Sequence, residues 1–432
     1  MCHSGFIRIM TEESIRSDIK QLIFEYFDKG YFNSSGRYSV PQSVPTYGPE
    51  ETAEVLDTLL SSNVTMGSKV REFEQKFSTY IGTRHAIMVN SGSSANLVAL
   101  TALSSTIADK TWLNAGDEII VPSIPWATTI SPILQVGAIP VFVDVDPVTC
   151  NMIVGDIEEA ITTKTKGIMP VHLLGNPVDM ESLMALAKKH KLFVLEDSCE
   201  AHGAKYGDKM IGSYGNLSTF SFFFSHHIST IEGGMVLTND DSLADLCRSI
   251  RAHGWTREMS TRTAIENDFP EIDPRFLFWS TGYNLRPTEI HGSFGIHQMD
   301  KLENFIDIRR RNAAVISEAL KKFCKYFEVV EESKNTRHVW FSIPIILKDS
   351  APFDRNDLTN YLEQNGIETR PVMAGNMVAQ PMMMKHEFRQ NGNLENAAKI
   401  NRNGFLIGNH HGLTDSKINL IIDSIGKFIA QI

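Results

Sequence analysis

The sequence predicts an α/β fold: a large, mostly parallel sheet covered by helices, followed by a smaller α+β unit. Between about residue 69 and residue 300, short β-rich runs (AIMV, EIIVP, IPVFVDV, GIMPVHLL, LFVLED, TFSFFF, GGMVLT) alternate with helical ones such as MESLMALAKKH. Alternation of this kind arises when strands are buried on both faces and joined by helical crossovers. Beyond it the pattern changes to a long helical run near 301 (LENFIDIRRRNAAVISEALKKF), then HVWFSIPIIL, DLTNYLEQNG and a last helix over 417–432. With 432 residues, 42% of them apolar and 21% charged, there is material for more than one core. Disordered, collagen-like and coiled-coil chains are excluded.

In order along the chain, residues 1–48 read as an N-terminal helix and arm. Ile15, Ile19, Leu22, Ile23 and Phe27 recur at helical spacing, and residues 31–48 then turn rich in Ser, Pro, Tyr and Gly. Residues 49–300 form the expected large domain and 301–432 the small one. The longest uncharged stretch, 119–143, contains Pro122, Pro125, Pro132 and Pro140, which suits buried strands and turns rather than a membrane helix.

The formal net charge is −10, with 41 Lys and Arg against 51 Asp and Glu and no basic cluster. Small-molecule chemistry therefore ranks above nucleic-acid binding. Five cysteines (2, 150, 199, 247, 324) form no CxxC pair, which fits reduced thiols and offers no metal or iron–sulfur site. The N-terminal MCHSGFIRIMTEESIRSD is charged and has no apolar core, so the expectation is a soluble cytoplasmic protein with neither signal peptide nor anchor.

In an open α/β sheet the ligand crevice lies beyond the carboxyl ends of the strands, and four places there carry chemistry. Asn90-Ser-Gly-Ser-Ser-Ala-Asn96 lies between AIMV and the helical LVALTAL; its Gly, hydroxyls and free N–H groups suit either a phosphate cradle or a helix cap. Glu196-Asp197 ends LFVLED, where an acid can hold a protonated heterocycle nitrogen or cap a helix, and Glu200 stands at capping-box spacing. Trp126 follows EIIVP and can stack on a flat ring or fill the core. The last is the segment Thr219-Phe-Ser-Phe-Phe-Phe-Ser-His-His-Ile-Ser-Thr-Ile-Glu-Gly-Gly234.

With that segment the chain resembles a known family over roughly residues 45–430. GSKVREFEQKFSTYIG, NSGSSA, VFVDVDP, VHLLGNPVDM, LEDSCEAHGA, SFFFSHHISTIEGG and GYNLRPTEIHGSFGIHQM stand in the order and spacing of the DegT/DnrJ/EryC1/StrS sugar aminotransferases. The resemblance implies the aspartate-aminotransferase fold (pyridoxal-phosphate fold type I), with a seven-stranded sheet in the large domain. It also implies cofactor-binding roles. Ser93, Ser94 and Ser221 fall on phosphate-binding positions, Asp197 on the acid facing the pyridinium nitrogen, Trp126 on the stacking aromatic and Glu200 near the ring hydroxyl. Asn284 falls on a residue that reaches the phosphate of a neighbouring subunit, which implies a homodimer with shared sites.

One departure selects a branch. The family's transaminases carry a tethering lysine where this chain has His226, and imidazole forms no stable covalent link to the cofactor. The same replacement marks the family's sugar 3-dehydratases, which hold pyridoxamine 5′-phosphate or pyridoxal 5′-phosphate noncovalently; His226 then falls on the catalytic proton carrier, since imidazole titrates near pH 6.5. One group in that branch uses an iron–sulfur cluster on four cysteines, but residues 253–278 here contain none. The other is the cluster-free group of the colitose pathway. Likeness to it implies a nucleotide-linked, GDP-preferring 4-keto-6-deoxy sugar as substrate, L-glutamate as amine donor and a place in O-antigen dideoxysugar synthesis. Arg286 and His253 are its candidate contacts for substrate or glutamate. A nucleotide-sugar aminotransferase, or an inactive protein that kept the pocket, are the alternatives. His227 is expected to face away from His226, because neighbours on an extended segment point to opposite sides.

Overall fold

The computed structural model describes residues 11–32, 36–107 and 111–432; the N-terminal ten residues, Cys2 among them, lie outside the described residues. The helices are α1 (Glu12–Asp28), α2 (Pro49–Leu60), α3 (Ser68–Ile81), α4 (Gly92–Leu103), α5 (Ala127–Gln135), α6 (Val154–Ala160), α7 (Met180–His190), α8 (Asp241–Arg251), α9 (Arg262–Asp268), α10 (Glu289–Lys321), α11 (Arg355–Gln364), α12 (Glu395–Asn403) and α13 (Asp415–Ile429). The first nine strands are β1 (His85–Val89), β2 (Glu118–Pro122), β3 (Ile139–Val143), β4 (Thr165–Ile168), β5 (Phe193–Asp197), β6 (Lys205–Tyr206), β7 (Lys209–Met210), β8 (Leu217–Ser221) and β9 (Gly234–Thr238). The other six are β10 (Phe327–Val329), β11 (Thr336–Arg337), β12 (Ser342–Leu347), β13 (Thr369–Pro371), β14 (Arg389–Gln390) and β15 (Gly404–Gly408).

The main sheet has the order β1-β9-β8-β5-β4-β2-β3-β14. Only β9 runs against its neighbours; the other pairs are parallel. Each expected apolar run supplies one strand, and the seven expected strands gain an eighth, because the two residues of β14 add to the edge of β3. Successive residues feed opposite faces, as the pleat requires. Ile119, Val121, Phe193 and Leu195 belong to one apolar core, Ile120 and Val194 to the other.

A second sheet, β10-β12-β15-β13, is wholly antiparallel and packs Ile343, Ile345 and Phe405 with Leu358, Ile421 and Ile425 of α11 and α13. The long helix begins at Glu289, earlier than the expected 301. Its first turns hold Gly292 and Gly295, where a Cβ would stand 2.5 Å from the Lys69 backbone and the Phe73 ring respectively. These glycines let α10 cross α3 in close contact, so residues that read as helix breakers are what the packing needs. α1 forms as expected, but Leu22 is 63% exposed and none of the helix is buried.

Candidate active site

The parallel strands end along one edge, and the chain there builds a first cluster around the start of α4. Ser91 is the helix cap: its Oγ accepts from the Ser94 backbone N–H at 3.1 Å. The cap is therefore filled without Ser93, whose exposed hydroxyl donates to Thr128 Oγ1 at 2.8 Å. Ser94 Oγ donates to Asn90 Oδ1 at 2.6 Å. Ser221, the last residue of β8, closes over the same turn, and a Cβ on Gly92 would stand 2.5 Å from the Ser221 Cβ. Only glycine permits that approach. The first N–H groups of a helix lack internal partners and carry a partial positive charge, so hydroxyls gathered there suit a phosphate.

Asp197 ends β5 a short way off. Its Oδ2 accepts from Asn96 Nδ2 at 3.1 Å and from Thr129 Oγ1 at 2.8 Å. Asn96 is oriented in turn by Thr219, which donates to its Oδ1 at 2.6 Å. No helix follows β5 before β6, so neither the cap nor the capping box allowed by the spacing is formed. Glu196 faces elsewhere and accepts from the N–H groups of Gly212, Tyr214 and Gly215; it pins a loop. Glu200 accepts from the Leu174 N–H at 2.7 Å. Burial outweighs that bond and, together with the charge of Asp197, pushes the Glu200 carboxyl up to about 8.

The segment after β8 is a turn, closed by His226 N–H donating to Phe223 O at 3.0 Å. The expected opposition of His226 and His227 does not arise, because the backbone is not extended. Both rings lie against Phe341, at centroid distances of 5.2 and 5.9 Å, and against His202, at 5.8 and 5.6 Å. Hydrogen bonding separates them. His227 is fully buried and its Nε2 meets Val339 O at 3.0 Å. His226 is half-buried, and its shielded Nδ1 has no partner. Burial, with the Arg309 charge behind it, pushes His226 down to about 3, so the ring rests neutral. Trp126 is 57% exposed at the start of α5, which removes it from the core.

His253, Asn284 and Arg286 form a second group. Asn284 Oδ1 accepts from Arg286 Nε at 3.1 Å. His253 lies edge-on to Trp255 at 4.7 Å, with the Arg286 guanidinium 5.6 Å from the same indole. Among the described residues no side-chain hydrogen bond joins this group to the first; the backbone does, through Asn90 N–H donating to Leu285 O at 3.0 Å. Sequence reasoning assigned no role to Asn96, Thr129, His202, Phe341 or Arg309. Asn96 stood inside a quoted motif, and its place four residues along α4 from Gly92 was the available signal; Phe341 and Arg309 left none, since they arrive from distant chain.

Hydroxyls at a helix start, a carboxylate whose side-chain donors are uncharged, an exposed indole and an unpartnered imidazole nitrogen fit a flat, phosphorylated pyridine. The family model described as "DegT/DnrJ/EryC1/StrS aminotransferase family" matches residues 45–426. The chain belongs to that family. Within it, the chain is 39% identical over 366 residues to GDP-4-keto-6-deoxy-D-mannose 3-dehydratase of Yersinia pseudotuberculosis, covering 84% of this chain and 92% of the relative. The Escherichia coli enzyme of that name, solved with bound hydrated PLP, superposes with a TM-score of 0.85 at 36% identity, over 90% of this chain and 99% of the other. A further structure of such a 3-dehydratase, with a trapped PLP-glutamate geminal diamine, gives a TM-score of 0.85 at 34% identity, over 89% and 100% of the two chains.

Proposed function

We propose that this protein is a sugar 3-dehydratase that removes the C3 hydroxyl of a GDP-linked 4-keto-6-deoxyhexose, using pyridoxamine phosphate that L-glutamate regenerates. The observation that carries the reading is His226: the segment that holds a tethering lysine in the family's transaminases offers an imidazole instead. The nearest lysines in sequence, Lys205 and Lys209, lie in the β6–β7 hairpin.

When bound, the cofactor supplies a primary amine and an electron sink. The start of α4, with Ser93, Ser94 and Ser221, would hold its phosphate, and Trp126 would stack on the ring. Asp197 would pair with the ring nitrogen, a charge-assisted bond that would keep that atom protonated. Glu200, carrying a proton near neutral pH, would donate toward the ring hydroxyl. His226 Nε2 is the proton carrier. A neutral imidazole takes up one proton as a base and returns it to the departing C3 hydroxyl oxygen, assistance worth on the order of 10²–10⁴ in rate. Arg286 would pair with a glutamate carboxylate, and His253 is the second candidate contact for substrate or glutamate. Asn284, exposed and with a side chain that among the described residues bonds only to Arg286, would reach across to the phosphate site of a second copy, so the working unit is a homodimer. No helix among the described residues is long and apolar enough to cross a membrane; the proposed sugar-nucleotide substrate and L-glutamate support a cytoplasmic enzyme.

The test is turnover. Purified protein given GDP-4-keto-6-deoxymannose, L-glutamate and pyridoxal phosphate is expected to release 2-oxoglutarate and a 3-deoxy sugar nucleotide. Formation of a 4-amino sugar with the C3 hydroxyl retained would assign it to the transaminases.

A further inference from the structure

Arg309 of α10 is 2% exposed, yet among the described residues no carboxylate pairs with it. Its Nη1 donates to Phe341 O at 2.9 Å and to Asn409 O, and its buried Nε has no partner. Asn409 completes the brace by donating to Arg309 O at 3.1 Å and Trp340 O at 2.9 Å. The braced segment is strained, since Trp340 sits at φ +48°. On its other side Phe341 N–H donates to Leu174 O at 2.8 Å, and Leu174 N–H donates to Glu200. Phe341 thus lies between Arg309, the Glu200 loop and His226, with its ring on the imidazole.

A neutral amide could hold two carbonyls. A guanidinium buried without a counter-ion costs stability, so the charge is surplus to that structural task. The titratable neighbours it acts on are histidines: His226 and His227 from the turn after β8, His202 from the loop after β5, and His410 and His411 beyond β15. Glu200 is reached only through the Leu174 peptide.

We propose that Arg309 is a positioning residue for His226. Through the Phe341 peptide it fixes the aromatic ring that lies tilted against the imidazole, and its unpaired charge adds to burial in disfavouring the protonated ring. A proton taken up beside a fixed cation is readily given away, which is what departure of a hydroxyl oxygen requires. The inference rests on His226 being the proton carrier proposed above.

The experiment compares Arg309→Lys and Arg309→Gln in the full-length enzyme, each checked by circular dichroism. Arg309→Gln is expected to move the acidic limb of kcat/KM upward by about one pH unit or more, and to lower kcat by at least about tenfold with KM for the sugar nucleotide held within about threefold. Arg309→Lys restores the limb. A folded Arg309→Gln enzyme with an unmoved limb, or equal impairment of both variants with one common profile, would overturn the proposal. A readout independent of catalysis is the imidazole ¹⁵N spectrum of wild-type protein: His226 neutral near pH 6 is expected, and a charged ring there contradicts the inference even if no Arg309 variant folds. An inactive wild type would count against the proposed function, and the Arg309 assignment is then read from the ¹⁵N titration of both proteins: His226 taking up its proton at higher pH in Arg309→Gln supports it, and an unchanged titration overturns it.

Discussion

Asp197 receives two side-chain donors, Asn96 and Thr129, on one of its oxygens. Replacing the carboxylate by an amide keeps the shape and removes the charge proposed to oppose a ring nitrogen. Asp197→Asn is expected to lower kcat by on the order of 10²-fold or more while the protein stays folded; 2-oxoglutarate release and circular dichroism measure the two effects. His226→Lys restores an amine at the position the transaminases use. It should abolish C3 deoxygenation and let the cofactor become covalently bound, and a variant that still makes 3-deoxy product would remove the proton carrier from the account. At this scale the sequence was readable wherever an acid, an aromatic or an imidazole stood directly after an apolar run. Asn96 and Thr129 were not, because a hydroxyl or amide on a helix earns a role only from what lies opposite. Phe341 and Arg309 reach His226 from more than eighty residues away.

Among the elements, the start of α4 makes the sharpest demand. Gly92→Ala would put a Cβ 2.5 Å from the Ser221 Cβ and 2.9 Å from its Oγ, forcing the end of β8 away from the helix. The expected result is cofactor affinity reduced by at least about tenfold, near 1.4 kcal/mol, with little loss of secondary structure. Titration with pyridoxal phosphate followed by absorbance reads it, and unchanged affinity would detach Ser221 from the proposed phosphate site. Strands were legible as apolar runs because both faces of the sheet are buried. The start of α10 was not: Gly292 and Gly295 look like breakers until α3 is packed against them. The turn at His226 was also hidden, since SFFFSHHIST has the composition of a strand and bends where its N–H groups find partners within the turn and at Gly233, just before β9.

The whole molecule buries histidines in their neutral form. His202, His226, His227, His291, His338, His410 and His411 are all held below the ordinary imidazole value, burial being the largest cause for each. The unfolded chain, with values near 6.5, binds more protons as pH falls below that point, so stability is complete above about pH 6.5 and is lost on acidification, each group contributing up to about 1.4 kcal/mol per pH unit. Glu200, pushed up to about 8, acts in the opposite sense, as do Asp156 and Glu232, whose carboxyls burial also pushes up, but these are three groups against seven. The melting temperature of the cofactor-free protein is therefore expected to fall steadily from pH 7.5 to 5.5; a flat or rising profile would show that these imidazoles are solvated. The most direct test of the central claim is intact-mass spectrometry after borohydride treatment of the protein loaded with pyridoxal phosphate. An unmodified chain mass with cofactor released on denaturation is the predicted result, and a reduced cofactor adduct on any lysine would contradict it.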